Sequence, residues 1–175
     1  VCTTGVERVG ERAGERVGRL ITRVDATRAV LRIAVINGPN LNLLGVREPD
    51  IYGHQTLGDI ERHLRDVARE LDVELAFCQH NGEGELIDAV QALMGSADGA
   101  LVNAGAYSHS SIAIRDAFAA VRVPFVEVHL SNVHARGPER ARLVLAASAV
   151  GVICGLGAYG YEAGLRGLAH RLRPT

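Results

Sequence analysis

Lysine is absent from this chain of 175 residues, because all 19 of its basic residues are arginine. Schiff-base catalysis and P-loop phosphate binding both use a lysine amine, so the sequence excludes both. Cysteine is scarce, with only Cys2, Cys78 and Cys154, far apart in the chain. An odd number of distant cysteines fits neither a disulfide framework nor a zinc site. We interpret them as two core thiols and one near the amino terminus, and we expect no metal.

The chain also lacks long apolar runs and an excess of charge. No segment approaches the roughly 18 consecutive apolar residues of a membrane span, and no apolar signal-peptide region precedes a cleavage site. The formal net charge is -1, without a polybasic run, which argues against a nucleic-acid or membrane partner. We therefore expect a cytoplasmic protein whose partner is a small molecule.

Residues 1–30 differ in character from the rest of the chain. The pattern Glu-Arg-Xaa-Gly occurs three times in succession between Glu7 and Gly18. Glycine at every fourth position costs a helix about 1 kcal/mol per site relative to alanine. We predict that residues 1–30 form a disordered or weakly helical extension and that residues 31–175 form a single α/β domain, which holds the candidate catalytic residues.

From residue 31 onwards, strand patterns alternate with helix patterns. We predict strands at 31–36, 73–78, 99–103, 124–128 and 149–154. Thr56 is placed to cap the first helix, with Asp59 in its first turn. The later helices are marked by apolar residues in 86–94, 112–121 and 161–172. Such alternation indicates a doubly wound parallel sheet in three layers, with the strand order 2-1-3-4-5.

A long loop after the first strand is the first candidate functional segment. About 18 residues separate that strand from Thr56, and loops of this length in a compact domain are uncommon and usually functional. The loop carries Arg47 and Tyr52. An unperturbed phenol has a pKa of about 10, so ionising it at pH 7 costs about 4 kcal/mol. A nearby Arg47 would favour the phenolate. An equal alternative is that Tyr52 only anchors the loop by packing on the surface of the domain.

Polar residues follow the ends of three predicted strands. Asn37 and Asn40 follow the first strand, Asn103 and His109 the third, and His129 the fourth. In a doubly wound sheet these ends meet beside the switch point, where ligands bind. We therefore predict one crevice that contains amides and imidazoles.

Glu127 and His129 are two residues apart on the fourth strand. Strand alternation places both on one face, where the carboxylate supports a protonated imidazole. This arrangement suits a general acid. The Gly155-Leu156-Gly157 sequence after the fifth strand lacks the downstream acidic residue of a dinucleotide site, so we interpret it as a tight turn.

Four motifs identify a known family. They are Asn-Gly-Pro-Asn-Leu-Asn-Leu-Leu-Gly with Arg-Glu-Pro and Tyr-Gly in 37–53, Glu-Gly-Glu-Leu-Ile-Asp in 83–88, Asn-Ala-Gly-Ala-Tyr-Ser-His-Ser-Ser in 103–111, and Glu-Val-His-Leu-Ser-Asn-Val-His-Ala-Arg in 127–136. From residue 31 the chain resembles the type II 3-dehydroquinate dehydratases. The resemblance implies a flavodoxin-like fold, a homododecamer built as a tetramer of trimers, and conversion of 3-dehydroquinate to 3-dehydroshikimate through an enolate without a cofactor.

The resemblance also implies roles for individual residues. Tyr52 would be the base that removes the C2 proton, with Arg47 holding it as the phenolate. Asn40 would help to bind the enolate oxygen. His129, supported by Glu127, would donate a proton to the departing C1 hydroxyl.

The remaining implied residues bind the substrate. Backbone N-H groups of Leu130 and Ser131 would hold the carboxylate, as in other amide anion sites. Asn103, His109 and Arg140 would hold the ring hydroxyls. Asp116 would reach the site of a neighbouring subunit.

The chain departs from the family pattern in one segment. Gly137-Pro138-Glu139 stands where the family usually has acidic residues and a phenylalanine. The segment that follows is usually polar in the family, but here residues 143–147 are apolar. We expect Pro138 to alter the start of a short helix there and so to affect the placement of Arg140. Two other hypotheses remain. One is a flavin- or nucleotide-binding module on the same fold, which is disfavoured because the first loop has no threonine- or serine-rich phosphate cradle. The other is an inactive oligomeric scaffold.

Overall fold

The computed structural model describes residues 30–46 and 54–174. Its five strands are β1 (Leu31–Asn37), β2 (Val73–Gln79), β3 (Gly99–Asn103), β4 (Phe125–His129) and β5 (Gly151–Cys154). Its five α-helices are α1 (Leu57–Leu71), α2 (Glu83–Gln91), α3 (Ile112–Val121), α4 (Pro138–Ala141) and α5 (Tyr159–Leu172). Short 3-10 helices cover Leu41–Leu43, Gly105–His109 and Val133–Ala135.

The strands form one parallel sheet in the order β2-β1-β3-β4-β5. The predicted order 2-1-3-4-5 is therefore confirmed. β1 and β3 pair so that Asn37 lies opposite Asn103. This register brings the polar ends of the two central strands to the same level of the sheet.

The two faces of the sheet carry separate hydrophobic layers. Helices α1 and α5 cover one face, where Leu64 and Leu165 pack with Val35 and Leu101. Helices α2 and α3 cover the other face, where Leu86 and Ile114 are among the fully buried residues. The three-layer α/β architecture follows from strands whose residues are apolar on both faces.

Helix α1 begins as the sequence predicts. The Thr56 hydroxyl accepts a hydrogen bond from the Asp59 backbone N-H at 3.1 Å, and Asp59 Oδ2 accepts one from the Thr56 backbone N-H at 2.9 Å. Each side chain thus satisfies a backbone donor that the first helical turn leaves without a partner. This reciprocal capping box fixes the residue at which the chain enters α1.

Several element boundaries differ from the predictions. The second helix ends at Gln91 rather than continuing through the apolar residues that follow, and Met94 is 65% exposed. The fifth strand begins at Gly151, because the Ala149 N-H donates to the Leu145 carbonyl in a turn. β4 ends at His129, so the strand itself includes the histidine.

Candidate active site

A cavity of about 100 Å³ lies at the carboxyl ends of the central strands β1, β3 and β4. The loops that follow these strands form most of its wall, as expected at the switch point of a doubly wound sheet. Its lining includes these predicted site residues: Asn40, Asn103, His109, His129, Leu130, Ser131 and Arg140. A cavity is therefore present where the strand ends predict a crevice, but Asn37, also predicted there, is fully buried and does not line it.

Two further predicted site residues, Glu127 and Asp116, are described and do not line the cavity. Glu127 is on β4 beneath His129 and is fully buried. Asp116 is on α3, outside the cavity lining, with 65% of its side chain exposed and its carboxylate bonded to Arg115. Arg47 and Tyr52 lie outside the described residues.

His129 and Glu127 form a buried imidazole-carboxylate pair. The His129 Nε2 atom lies 3.0 Å from Glu127 Oε1, and the two side chains are 6% and 0% exposed. Among the described residues, no group donates a hydrogen bond to the second carboxylate oxygen, Oε2. Since burying an unpaired charge is costly, the negative charge on Glu127 is best stabilised when the neighbouring imidazole carries its proton.

A second imidazole stacks on the first. The ring centroids of His109 and His129 are 5.9 Å apart, with an angle of 26° between their planes. His109 Nδ1 lies 3.0 Å from the carbonyl oxygen of Arg142. Because a carbonyl only accepts, Nδ1 must carry the hydrogen in this contact. In the neutral tautomer, Nε2 of His109 is then a hydrogen-bond acceptor.

The loops after β1 and β3 approach each other backbone to backbone. A Cβ atom on Gly38 would lie 2.5 Å from the Ala104 carbonyl group, and one on Gly105 would lie 3.2 Å from the Pro39 oxygen. The Gly38 N-H donates to the Asn103 carbonyl at 2.7 Å. These glycines therefore allow the two loops to close against each other at the base of the cavity.

Asn40 is held in an unusual backbone conformation by residues at and just after the end of β2. Its φ is 67°, in the left-handed region, and its backbone N-H donates to Asn81 Oδ1 at 3.0 Å. The same oxygen accepts from Gln79 Nε2, which also donates to the Gly38 carbonyl. The contact of Asn81 with the loop that carries Asn40 was not predicted, because the two residues are 41 positions apart and no local pattern connects them.

The glycine turn before α5 fixes two peptide groups at the end of β4. Gly155 N-H donates to the His129 carbonyl at 3.3 Å, and Gly157 N-H donates to the Leu130 carbonyl at 2.9 Å. In a trans peptide the C=O and the next N-H point in opposite directions. The N-H groups of Leu130 and Ser131 therefore point away from this turn. The positive φ values of both glycines are those of a tight turn.

Pro138 does not displace Arg140 from the cavity. Helix α4 begins with Pro138 at its first position and is preceded by Gly137 at a φ of 123°. Proline is favoured there because its missing N-H has no partner within a helix. Arg140 lines the cavity, and so does Arg136, which the sequence analysis named only as part of a motif.

The apolar segment that replaces the usual polar one packs into the core. Leu145 is fully buried and Val144 nearly so. The Val144 N-H donates to the Ser108 carbonyl at 2.7 Å. This contact ties the segment to the end of the 3-10 helix that carries His109.

The described parts of the chain contain neither a metal site nor a membrane-spanning helix. Within residues 30–46 and 54–174, no group of three or more His, Cys, Asp or Glu side chains could hold a metal ion. No helix in these ranges is both long and apolar enough to cross a membrane. Cys78 and Cys154 are free thiols, each partly buried.

Comparisons with known proteins agree with this architecture. The model of the family described as "Dehydroquinase class II" matches residues 31–169. A "3-dehydroquinate dehydratase" of Gemmatimonas aurantiaca is 59% identical over 140 residues, which cover 80% of this chain and 92% of the relative. A protein of the same name from Synechococcus sp. (strain WH7803) is 56% identical over 143 residues, covering 82% of this chain and 97% of that one.

Solved structures give the same result. The crystal structure of a type II dehydroquinase from Butyrivibrio crossotus superimposes with a TM-score of 0.77 at 39% sequence identity, covering 79% of this chain and 97% of the other. The family model spans the strand ends that form the cavity. The chain therefore belongs to the class II dehydroquinase family.

Proposed function

We propose that this protein is a type II 3-dehydroquinate dehydratase, which converts 3-dehydroquinate to 3-dehydroshikimate in the shikimate pathway. The observation that carries this conclusion is the buried His129-Glu127 pair on a small polar cavity of a class II dehydroquinase fold. The pair supplies a proton donor next to amide and guanidinium groups that suit an acidic, hydroxylated substrate.

The net reaction breaks the C2-H and C1-O bonds and forms the C1=C2 double bond and one O-H bond of water. A base removes the proton at C2, and the electron pair moves onto the adjacent ketone oxygen as an enolate. When the enolate returns its electrons, the C1-O bond breaks and the C1=C2 bond forms. The departing hydroxyl takes a proton from the acid and leaves as water, so the products are water and a conjugated enone.

His129 is the general acid in this proposal. Its imidazole lines the cavity while Nε2 contacts the Glu127 carboxylate. The carboxylate orients the ring and stabilises the imidazolium until the proton is transferred. Glu127 therefore acts through His129, since it is fully buried and does not line the cavity.

Tyr52 is the proposed base, and Arg47 is proposed to favour its phenolate. The support is the sequence motif, since both residues lie in the part of the loop outside the described ranges. Asn40, at the near end of this loop, lines the cavity. It is proposed to help bind the enolate oxygen, where negative charge develops in the transition state.

The substrate carboxylate is proposed to bind the backbone N-H groups of Leu130 and Ser131. Both residues line the cavity. The carbonyls of His129 and Leu130 are bonded to the glycine turn on the other side. The two N-H groups, pointing away from that turn, suit a carboxylate as an amide anion site does.

Asn103, His109 and Arg140 are proposed to hold the ring hydroxyls. All three line the cavity. His109 offers Nε2 as an acceptor in the tautomer that its contact with Arg142 requires. Arg140 offers donors only, so the set can match hydroxyls that donate as well as hydroxyls that accept.

The assembly and its setting are further parts of the proposal. We infer a homododecamer, a tetramer of trimers, in which Asp116 of one subunit reaches the site of a neighbour. The exposed carboxylate of Asp116, outside its own cavity, is consistent with that role. We also propose that the enzyme works in the cytoplasm, that residues 31–175 form the catalytic domain, and that residues 1–30 are an extension dispensable for activity.

One assay tests the function directly. Purified protein is mixed with 3-dehydroquinate, and the absorbance of the conjugated enone product is followed over time. We expect a rate proportional to protein concentration and near background for a His129→Ala control. If the wild-type protein forms no enone, the proposal is wrong and the inactive scaffold becomes the better interpretation.

A further inference from the structure

A buried tyrosine joins two strand ends directly beneath the cavity. Tyr161, in the first turn of α5, has no exposed surface. Its hydroxyl donates to Asn37 Oδ1 at 2.6 Å and accepts from Asn103 Nδ2 at 3.0 Å. One hydroxyl therefore connects the polar side chains at the ends of β1 and β3.

The hydroxyl must stay neutral to make both bonds. Burial raises the pKa of Tyr161 well above its ordinary value, so the phenol keeps its proton over the working range of an enzyme. A phenol has a single O-H to donate. Because that proton is bonded to Asn37, only a lone pair of the oxygen is left for Asn103.

This constraint determines the orientation of the Asn103 amide. Its Nδ2 must face Tyr161, and its Oδ1 accepts from the Gly105 N-H at 3.2 Å. If the amide were flipped, Oδ1 of Asn103 would face the lone pair of the Tyr161 oxygen, and Nδ2 of Asn103 would face the Gly105 N-H. Neither contact could form a hydrogen bond. Asn103 is 4% exposed and lines the cavity. Among the described residues, its second amide N-H has no partner.

We propose that Tyr161 is a positioning residue for substrate binding, which holds the Asn103 amide so that its remaining N-H is offered to an oxygen of the substrate. The inference rests on the proposed function, because it requires the substrate to contact Asn103. Tyr161 itself does not line the cavity, so it acts only through Asn103.

The test is the Tyr161→Phe variant, which removes the hydroxyl and keeps the ring. Without the oxygen, the Asn103 amide keeps only the Gly105 N-H as a partner and loses the acceptor that holds its Nδ2. A contact made equally in the ground state and the transition state changes KM rather than kcat. We therefore expect KM for 3-dehydroquinate to rise about tenfold, as for one lost hydrogen bond to the substrate, while kcat stays within about twofold of wild type.

The control for a purely structural role is Leu168→Ala. Leu168 is fully buried on the same helix, but it packs beside Gly99 at the opposite end of β3 from Asn103. We expect this variant to lower Tm and to leave KM unchanged at a temperature where it is folded. A normal KM in folded Tyr161→Phe, with Tm lowered as in the control, would overturn the inference.

A second variant covers the case in which Tyr161→Phe fails to fold. Asn37→Ala keeps the tyrosine but removes the acceptor for its proton, so the hydroxyl can either accept from Asn103 Nδ2 or donate to Oδ1 of the flipped amide. We expect KM to rise about threefold or more. An unchanged KM in this folded variant would also overturn the inference.

Asn103→Ala separates this inference from the proposed function. If this variant has a normal KM, then the substrate does not depend on Asn103, and both the role of Asn103 and the inference fail. If Asn103→Ala raises KM but Tyr161→Phe does not, only the inference fails. In the double variant we expect no further rise in KM beyond that of Asn103→Ala, because Tyr161 acts through this side chain.

Discussion

His129 and Glu127 lie on the same face of β4 with their nitrogen and oxygen atoms 3.0 Å apart, and only the imidazole reaches the cavity. The carboxylate is fully buried, and no described residue donates to its second oxygen. A buried negative charge next to the proposed acid stabilises the imidazolium and fixes the orientation of the ring. In this arrangement His129 delivers the proton, and Glu127 stabilises the protonated form of His129.

Replacing Glu127 with glutamine tests this division of roles. Glu127→Gln keeps the size of the side chain and removes its charge, so the imidazolium of His129 loses its counter-ion. We expect kcat to fall at least about tenfold with little change in KM, because the substrate does not contact residue 127. Steady-state kinetics over a range of pH measure both constants.

The matched control is Glu74→Gln. Glu74 is an exposed residue on β2, and we expect its loss to leave both constants unchanged. Wild-type kcat in folded Glu127→Gln protein would show that the carboxylate does not assist the acid.

The glycine turn before α5 can be tested through the amide groups that it orients. Gly155 has a φ of 85°, and a Cβ there would lie 3.3 Å from Asn132 Cβ. Gly155→Ala should therefore displace the turn and rotate the peptide groups at Leu130 and Ser131. We expect KM to rise roughly fivefold, equivalent to about 1 kcal/mol of carboxylate binding.

Gly95→Ala provides the matched control. Gly95 has a similar φ of 70°, but a Cβ there meets nothing within 4 Å. Both variants carry the backbone cost of alanine at positive φ, about 1 kcal/mol, which urea unfolding measures. Equal KM values in the two variants would contradict a role for the turn in carboxylate binding.

The cap of α1 predicts a specific pH dependence of stability. Hydrogen bonds from the Thr56 hydroxyl and backbone N-H, followed by one from Arg62, lower the pKa of Asp59 from 3.8 to about 2. The folded state therefore binds this proton less readily than the unfolded state. The stabilisation is present above the unfolded pKa and is lost as the pH falls through the folded pKa.

Asp59→Asn removes that titration and serves as the comparison. We expect wild type to have the higher Tm at neutral pH and the difference to shrink as the pH falls from about 4 towards 2. Thermal unfolding at several pH values measures this difference. A constant difference across that range would mean that the carboxylate charge does not stabilise the cap.

The sequence predicts the fold well because its signals are local. The apolar spacing in α1, the cap at Thr56 and the alternation of strands with helices each depend on neighbouring residues. Because the connections between parallel strands are almost always right-handed, these elements can form a sheet in only a few strand orders. The predicted order was confirmed, whereas the predicted end of α2 was wrong. Apolar spacing continues to Met94, but after Gln91 the N-H groups of Leu93 and Met94 bond three residues back, in turns rather than in the α-helix.

The sequence predicts the strand-end residues of the site but not the contacts that support them. Tyr161 falls at helical spacing with Leu165 and Leu168, so its pattern is that of an ordinary core residue. Its contacts are 124 and 58 residues away, with Asn37 and Asn103. Such contacts depend on the pairing of β1 with β3 and on the packing of α5, which no local pattern specifies.

The proposed division of chemistry between a base and an acid can be tested by comparing two single variants with wild type. The measurement is the initial rate of enone formation from 3-dehydroquinate by wild type, Tyr52→Phe and His129→Ala, with folding checked by circular dichroism. We predict that each variant stays folded and that its kcat falls by about 10²- to 10⁴-fold, the usual contribution of a general base or acid. Near-normal turnover by either folded variant would contradict the role assigned to that residue.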